Sequence, residues 1–530
     1  MKGVDEAGAE KQAPEQQETP VLRPRKHRPG KPRPGKPRPG KPRPAKPASK
    51  GVVRFLPLVL LTLVIAALAV PMGLGVAPGF FGPGSFGAAG TPAPKVPVWQ
   101  QVPKQLSRTQ VVAPLDASAP VPLPADVTSQ LNALLTPDGG GDFTGVVEDA
   151  LTGLPLYDRD GAKNRVPASN MKLLTAVAAL RAIGPETRFS TRVLAGPSAS
   201  TIILSAGGDV LLGDGPSRPS EVLGHAGLET LASDAAKALQ DRGVKGPVTV
   251  QLDDGLFTGP ALNPAWSLDD VAAGETAPIF PLALNSARTS PGSTTGPRPQ
   301  DAALTAAAAF AGKLQAAGAA AGFTVVPGVE RATVPTGKQD VIASVVSATV
   351  REQVDLMLET SDNYLAEVFG RMAALSAGKP GSNDGATAAV SAAVAELGIA
   401  TDSMHLADVS GLALGNQVSA RQFADVVRAI TSGPDTRLRA ALAGFPVAGL
   451  TGTLGDRYGD ASTSQGAGLV RAKTGTLNSV IALSGYVVDA NGRLLVFSFI
   501  GNGLTPGAAG NKVALDRSAT ALASCGCRAG

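Results

Sequence analysis

The chain alternates apolar blocks with Pro- and Gly-rich punctuation, and the blocks change character along its length. Residues 55–77, FLPLVLLTLVIAALAVPMGLGVA, carry no charge. About 20 apolar residues cross a bilayer core, so this segment predicts a transmembrane helix, kinked at Pro71. Residues 78–125 are rich in Gly, Pro, Ala and Ser and read as a stalk. A short helical pattern runs from Val127 to Leu135. In FTGVVEDALTGLPLYDRD, residues 143–160, two apolar runs flank Thr152-Gly153, which predicts a hairpin. Over 169–183 apolar residues recur at helical spacing through Leu173, Val177 and Leu180, with Ser169 as N-cap and Gly184-Pro185 as the stop.

From 197 to 340 short strands and turns alternate with one Ala-rich helix, 301–317. A helix-rich block follows over 349–376. Later, VIALSGYVVD and RLLVFSFIGN flank Asn491-Gly492, which predicts a hairpin closed by a type I′ turn. An Ala-rich helix covers about 508–524. Both ends of this region thus combine antiparallel strands with helices.

Charge sharpens the picture of the first residues. The net charge is +5. Residues 1–54 hold 15 Lys and Arg against 5 Asp and Glu, whereas the remainder holds 33 against 38. G-K-P-R-P stands three times in succession, at 30–34, 35–39 and 40–44. Alternating Pro forbids helix, so 1–54 reads as a disordered, extended basic arm, in the first place a solvated spacer, with anionic lipid headgroups or nucleic acid as the alternative partners of its cations. The mildly acidic remainder argues against nucleic acid as a partner. Cations before 55–77 and few after it put the N-terminus in the cytoplasm and the rest outside. The preamble is far longer than a signal-peptide n-region, so the segment reads as an uncleaved single-pass anchor in the cytoplasmic membrane.

Candidate chemistry is limited by what is scarce. The two cysteines, Cys525 and Cys527, exclude a disulfide framework and a Cys-based zinc site, and no metal or other cofactor is expected. Of three His, only His225 and His405 lie beyond the basic arm. H-E-x-x-H, G-x-x-x-x-G-K-[ST] and G-x-S-x-G are all missing. What remains is an ordered triple: Ser169-Asn170-Met171-Lys172, Ser361-Asp362-Asn363 and Lys473-Thr474-Gly475-Thr476. Each motif alone is weak, and the chain carries decoys at Ser376–Lys379 and at Thr451-Gly452-Thr453. Context separates them. Ser169 opens a helix, where backbone N–H groups favour developing negative charge, and Lys172 lies one turn on. With no His motif nearby, Lys172 is the candidate base. Burial and the like charge of Lys473 would lower its pKa.

The triple in this order is the signature of active-serine penicilloyl enzymes. The chain resembles the D-alanyl-D-alanine carboxypeptidases that double as endopeptidases, the low-molecular-mass penicillin-binding proteins of class C, type 4. Further similar stretches include SAGGDVLL (205–212), QLDDGLFTGPALNPAWSLDD (251–270), DVSGLALGNQVSARQFADVV (408–427) and FPVAGLTGTLGDR (445–457). The resemblance implies an α+β, β-lactamase/transpeptidase-like domain over 126–196 and 341–530, an antiparallel sheet flanked by helices, interrupted by an inserted α/β-mixed domain over 197–340. It implies peptidoglycan peptides and β-lactams as partners. By it, Ser169 is acylated, Lys172 is its base, and Ser361 relays a proton to the leaving D-alanine. Asn363 holds the substrate amide and Lys172, Lys473 supplies positive potential, and Thr474 binds the terminal carboxylate. Backbone N–H groups of Ser169 and Thr476, beside Gly475, form the oxyanion hole. Trp266 and Asp269 match a stretch that in some relatives helps form a pocket for a stem-peptide amine, with simple packing of the insert as the alternative for Trp266. An aromatic residue that normally follows is replaced here by Gly274-Glu275. A β-lactamase-like hydrolase and a non-catalytic wall scaffold are the alternatives. The insert argues against the first and the intact triple against the second.

Overall fold

The computed structural model describes residues 115–525, apart from 294, 333 and 335–339. The basic arm, the 55–77 segment and most of the stalk lie outside the described residues. Among the described residues no helix is long and apolar enough to cross a membrane.

Helix α1 (Pro124–Leu134) precedes the hairpin of β1 (Gly140–Asp149) and β2 (Pro155–Arg159), as the apolar pattern predicts. Gly153 supplies the positive φ (74°) that its turn requires. A 3-10 turn, Ala168–Asn170, runs into α2 (Met171–Ala178), and Gly184 at φ 98° ends the helical stretch. The chain then leaves for the insert: β3 (Arg188–Ala195), β4 (Thr201–Ser205), α3 (Leu228–Asp241), β5 (Gly246–Asp253), α4 (Ala302–Ala321), β6 (Phe323–Val325) and β7 (Val341–Thr349). Helices α5 (Val350–Thr360), α6 (Asn363–Ser376), α7 (Asn383–Ala395) and α8 (Ala420–Thr431) bring it back. Strands β8 (Arg471–Leu477), β9 (Val480–Val488) and β10 (Leu494–Thr505) and helix α9 (Lys512–Ser524) complete it.

The sheet outside the insert has the order β8-β9-β10-β1-β2 and is antiparallel throughout. Successive strand residues face opposite sides. Leu495, Phe497 and Phe499 of β10 therefore pack with α1 and α9, while Leu494, Val496 and Ile500 pack with α2 and α8. Both faces are covered, which is why LLVFSFI, residues 494–500, reads as an apolar run broken only by Ser498. This is the expected α+β architecture.

The insert's sheet has the order β6-β5-β4-β3-β7 and mixes parallel with antiparallel pairs. Its edges reach Arg188 and Thr349, beyond the expected 197–340, because β3 pairs with β7 rather than with the other sheet. Helix α3 escaped the sequence reading, although Leu228, Leu231, Ala232, Ala235 and Leu239 form its buried stripe.

Two local readings change. The loop after β9 spans five residues, and only Gly492 (φ 87°) has positive φ there, so it is not a type I′ turn. The Asp489 carboxylate accepts N–H bonds from Asn491 and Arg493 and folds the loop into a type I turn followed by a left-handed Gly. Nor is Ser169 an N-cap. It lies inside the 3-10 turn, and its hydroxyl is engaged by Lys172 instead.

Candidate active site

The site is assembled at one end of β8, where the start of α2, the α5–α6 junction and the 408–416 loop converge. Ala168 takes a left-handed φ of 48°, turning Ser169 out of line with α2 and leaving it half-buried at the cleft. Asn170 anchors this turn to the sheet: its Nδ2 donates to Ser484 Oγ at 2.6 Å, and Ser484 donates to Ser498 Oγ at 2.8 Å. Close packing demands two glycines. A Cβ at Gly475 would lie 2.8 Å from the Pro167 carbonyl oxygen and 3.1 Å from Ser169 N. One at Gly411 would lie 1.9 Å from the Ala168 carbonyl oxygen. Gly475 thus lets β8 run against the serine turn.

Lys172 is fully buried and has three oxygens around Nζ: Ser169 Oγ at 2.9 Å, Asn363 Oδ1 at 2.6 Å and the Ser410 carbonyl at 2.8 Å. The two carbonyl-type oxygens only accept, whereas the serine hydroxyl can donate. A neutral lysine therefore gives its two N–H bonds to Asn363 and Ser410 and turns its lone pair toward Ser169. Burial pushes the Lys172 amine down to about 8, while Asp408, Asp362, Glu367 and Glu275 hold it up. Lys473, equally buried, donates to Ser361 Oγ at 3.0 Å and to the Thr474 carbonyl at 2.9 Å. Burial first, then the charge of Lys172, pushes Lys473 well below the usual lysine range. Burial, rather than the charge of Lys473, is thus the main cause at Lys172. The surrounding carboxylates favour Lys172 as the holder of a shared proton.

The middle motif divides its labour. Ser361 closes α5 with a left-handed φ of 59° and offers its hydroxyl to Lys473. Asp362 is the N-cap of α6, its carboxylate accepting from Leu365 N. Asn363 is the first residue of α6; its Nδ2 donates to the Glu275 carbonyl at 3.0 Å, which fixes Oδ1 toward Lys172. On β8, Thr474 and Thr476 share the face that lines the cleft, opposite Lys473.

The cleft holds about 980 Å³ and is lined by Ser169, Ser361, Asn363, Thr474 and Thr476. Trp266 and Asp269 are not among its lining residues. Trp266 is buried, with Nε1 donating to Asp408 Oδ2 at 2.9 Å, and Asp269 is exposed on a short helix. Asp270 and Glu275 line the cleft instead, and so does Arg288.

Several site residues escaped the sequence reading. Thr453 belongs to a decoy, yet its Oγ1 stands 2.6 Å from Thr474 Oγ1. Glu367 lies one helical turn beyond Asn363, a spacing that could have flagged it; its carboxylate accepts the backbone N–H groups of Val409 and Ser410. Burial pushes Glu367 up to about 7. Nothing in the sequence announces Asn285–Ala287, three consecutive non-glycine residues with left-handed φ, of which Asn285 and Ser286 border the cleft. The Ser376 decoy is the exposed last residue of α6.

The chain is similar to several known proteins. The sequence model of the D-Ala-D-Ala carboxypeptidase 3 (S13) family matches residues 127–297 and 287–522. A carboxypeptidase of Mycobacterium tuberculosis is 36% identical over 421 residues, 78% of this chain and 87% of that protein. A D-alanyl-D-alanine carboxypeptidase of an Actinomadura species is 31% identical over 434 residues, 68% of this chain and 77% of the relative. The crystal structure of penicillin-binding protein 4 from Haemophilus influenzae shares the fold, with a TM-score of 0.61 at 22% identity. It covers 75% of this chain and 99% of that one.

Proposed function

The chain belongs to the D-Ala-D-Ala carboxypeptidase S13 family, and we propose from this that Ser169 is the acylated nucleophile of a penicillin-sensitive serine peptidase. Its substrates are peptidoglycan stem peptides ending in D-Ala-D-Ala and, by the same chemistry, cross-links between them. The observation that carries the reading is the Lys172 amine, buried and 2.9 Å from Ser169 Oγ, with acceptors for both of its remaining N–H bonds.

In the proposed sequence Lys172 takes the hydroxyl proton as Ser169 Oγ bonds to the penultimate D-alanine carbonyl carbon. The C–N bond then breaks, and the leaving amine receives a proton through Ser361. Water hydrolyses the ester. A substrate carboxylate placed beside Thr474 would favour the charged form of Lys473. That charge in turn repels the proton from Lys172, so substrate binding itself prepares the base.

Intact-protein mass spectrometry after benzylpenicillin treatment, with peptide mapping, tests the assignment. A persistent adduct confined to Ser169 is expected; an adduct that survives Ser169→Ala refutes it. Rapid release of the adduct would support a β-lactamase instead. The pH dependence follows from the lysine. With a pKa near 8, roughly one Lys172 in ten is neutral at pH 7 and roughly nine in ten at pH 9. Acylation should accelerate about tenfold over that interval; a rate flat from pH 7 to 9 counts against Lys172 as the base.

The uncharged 55–77 segment and the basic arm support single-pass anchoring in the cytoplasmic membrane, N-terminus inside and catalytic domain outside. The arm's cations support contact with anionic lipid there. N-terminal sequencing of the mature protein is the check, since a start between 75 and 100 means the segment is removed.

A further inference from the structure

The two acceptors that orient Lys172 are each held by the insert. Asn363 Oδ1 is aimed because Asn363 Nδ2 donates to the Glu275 carbonyl. That stretch of the insert is itself pinned. Buried Arg298 donates Nε to the Gly274 carbonyl at 2.7 Å and Nη1 to the Ser286 carbonyl at 2.6 Å. Gly274 sits at φ 83°, where a Cβ would lie 1.8 Å from the Gly296 carbonyl oxygen.

The second acceptor, the Ser410 carbonyl, belongs to a loop wound around the Asp408 carboxylate. Oδ1 accepts from Gly411 N at 2.8 Å and Asn416 Nδ2 at 2.7 Å. Oδ2 accepts from Ser410 Oγ at 3.0 Å and Ala413 N at 2.8 Å. The remaining donor to Oδ2 is the indole N–H of Trp266, which reaches in from the insert at 2.9 Å.

We propose that the insert positions the catalytic base: Trp266, through Asp408, and the Glu275 backbone, through Asn363, fix the two acceptors that direct the Lys172 lone pair at Ser169. Trp266 is a positioning residue, and its effect falls on the chemical step rather than on substrate capture. This rests on Ser169 and Lys172 as nucleophile and base, but the test separates the two ideas.

The experiment measures benzylpenicillin acylation at saturating and subsaturating concentrations in wild type, in Trp266→Phe and in a protein whose residue 266 carries a benzothiophene in place of indole. The last keeps the shape and loses only the N–H. Active-site titration counts competent molecules, and thermal melting checks folding. The proposal expects the limiting acylation rate per competent site to fall about 10-fold or more in both variants, on the scale that a misplacement of roughly 1 Å brings. The half-saturating concentration should stay within about twofold, since Trp266 does not line the cleft. An unchanged limiting rate per competent site overturns the proposal, whatever the melting temperature. So does a change confined to half-saturation, which would make Trp266 a binding residue. Wild type that fails to acylate at Ser169 removes the functional reading itself.

Discussion

Lys172→Arg should leave Ser169 all but unacylated by penicillin at any pH from 6 to 10. Arginine keeps the cation and the hydrogen-bond donors, but guanidinium does not deprotonate in this range. It thus has no lone pair for the Ser169 proton. The expected loss is about 10²–10⁴-fold, the range a positioned base contributes, and close to that of Ser169→Ala. Lys473→Arg should lose less, because its amine contacts Ser361 and the Thr474 carbonyl rather than the nucleophile. Acylation rates of both variants across pH 6–10, normalised to folded protein, decide the matter. If Lys172→Arg acylates faster than Lys473→Arg at every pH, the two roles are misassigned.

Gly411→Ala is expected to damage both stability and chemistry. Gly411 has φ 88°, a conformation that costs an L-residue about 1–2 kcal/mol. The added methyl would also meet the Ala168 carbonyl at 1.9 Å. That carbonyl precedes Ser169, and the neighbouring Ser410 carbonyl accepts from Lys172. The displacement therefore reaches nucleophile and base together, and acylation should slow by about 10²-fold. Melting temperature and acylation rate should both drop. Wild-type acylation in Gly411→Ala would mean that the loop yields without moving Ser169.

The two layers of the molecule differ in how far the sequence reveals them. The antiparallel sheet was legible because β9 and β10 are long apolar runs joined by a turn signal. The three motifs that meet at the candidate site were legible because their side chains stand at fixed local spacings, as in Ser169 and Lys172. Asp408, Ser410 and Thr453 were not, because their roles come from long-range approach. Ser410 acts through a backbone carbonyl that any residue could supply, and Thr453 meets Thr474 only after the sheet has formed. Trp266 shows the converse. Its motif was visible, but resemblance alone could not reveal that the indole turns away from the cleft to hold Asp408. The stripe of helix α3 recurs at helical spacing through Leu228, Leu231, Ala232, Ala235 and Leu239 and was there to be read.

The pairing of β1 with β10 sets the order in which this protein comes into being. Gly145 stands opposite Phe499, so the sheet that backs Ser169 remains open until nearly the whole chain is available. The insert closes earlier, when Thr349 reaches Arg188. Contacts that distant in sequence form late, because a long loop must close first. An unfinished or still-emerging chain thus carries Ser169 and Lys172 without the Lys473 strand, and its serine should not react with penicillin. Chains arrested at residue 470 should protect the insert from protease yet take up no labelled penicillin; labelling at that length would show that the serine is armed before the molecule is complete.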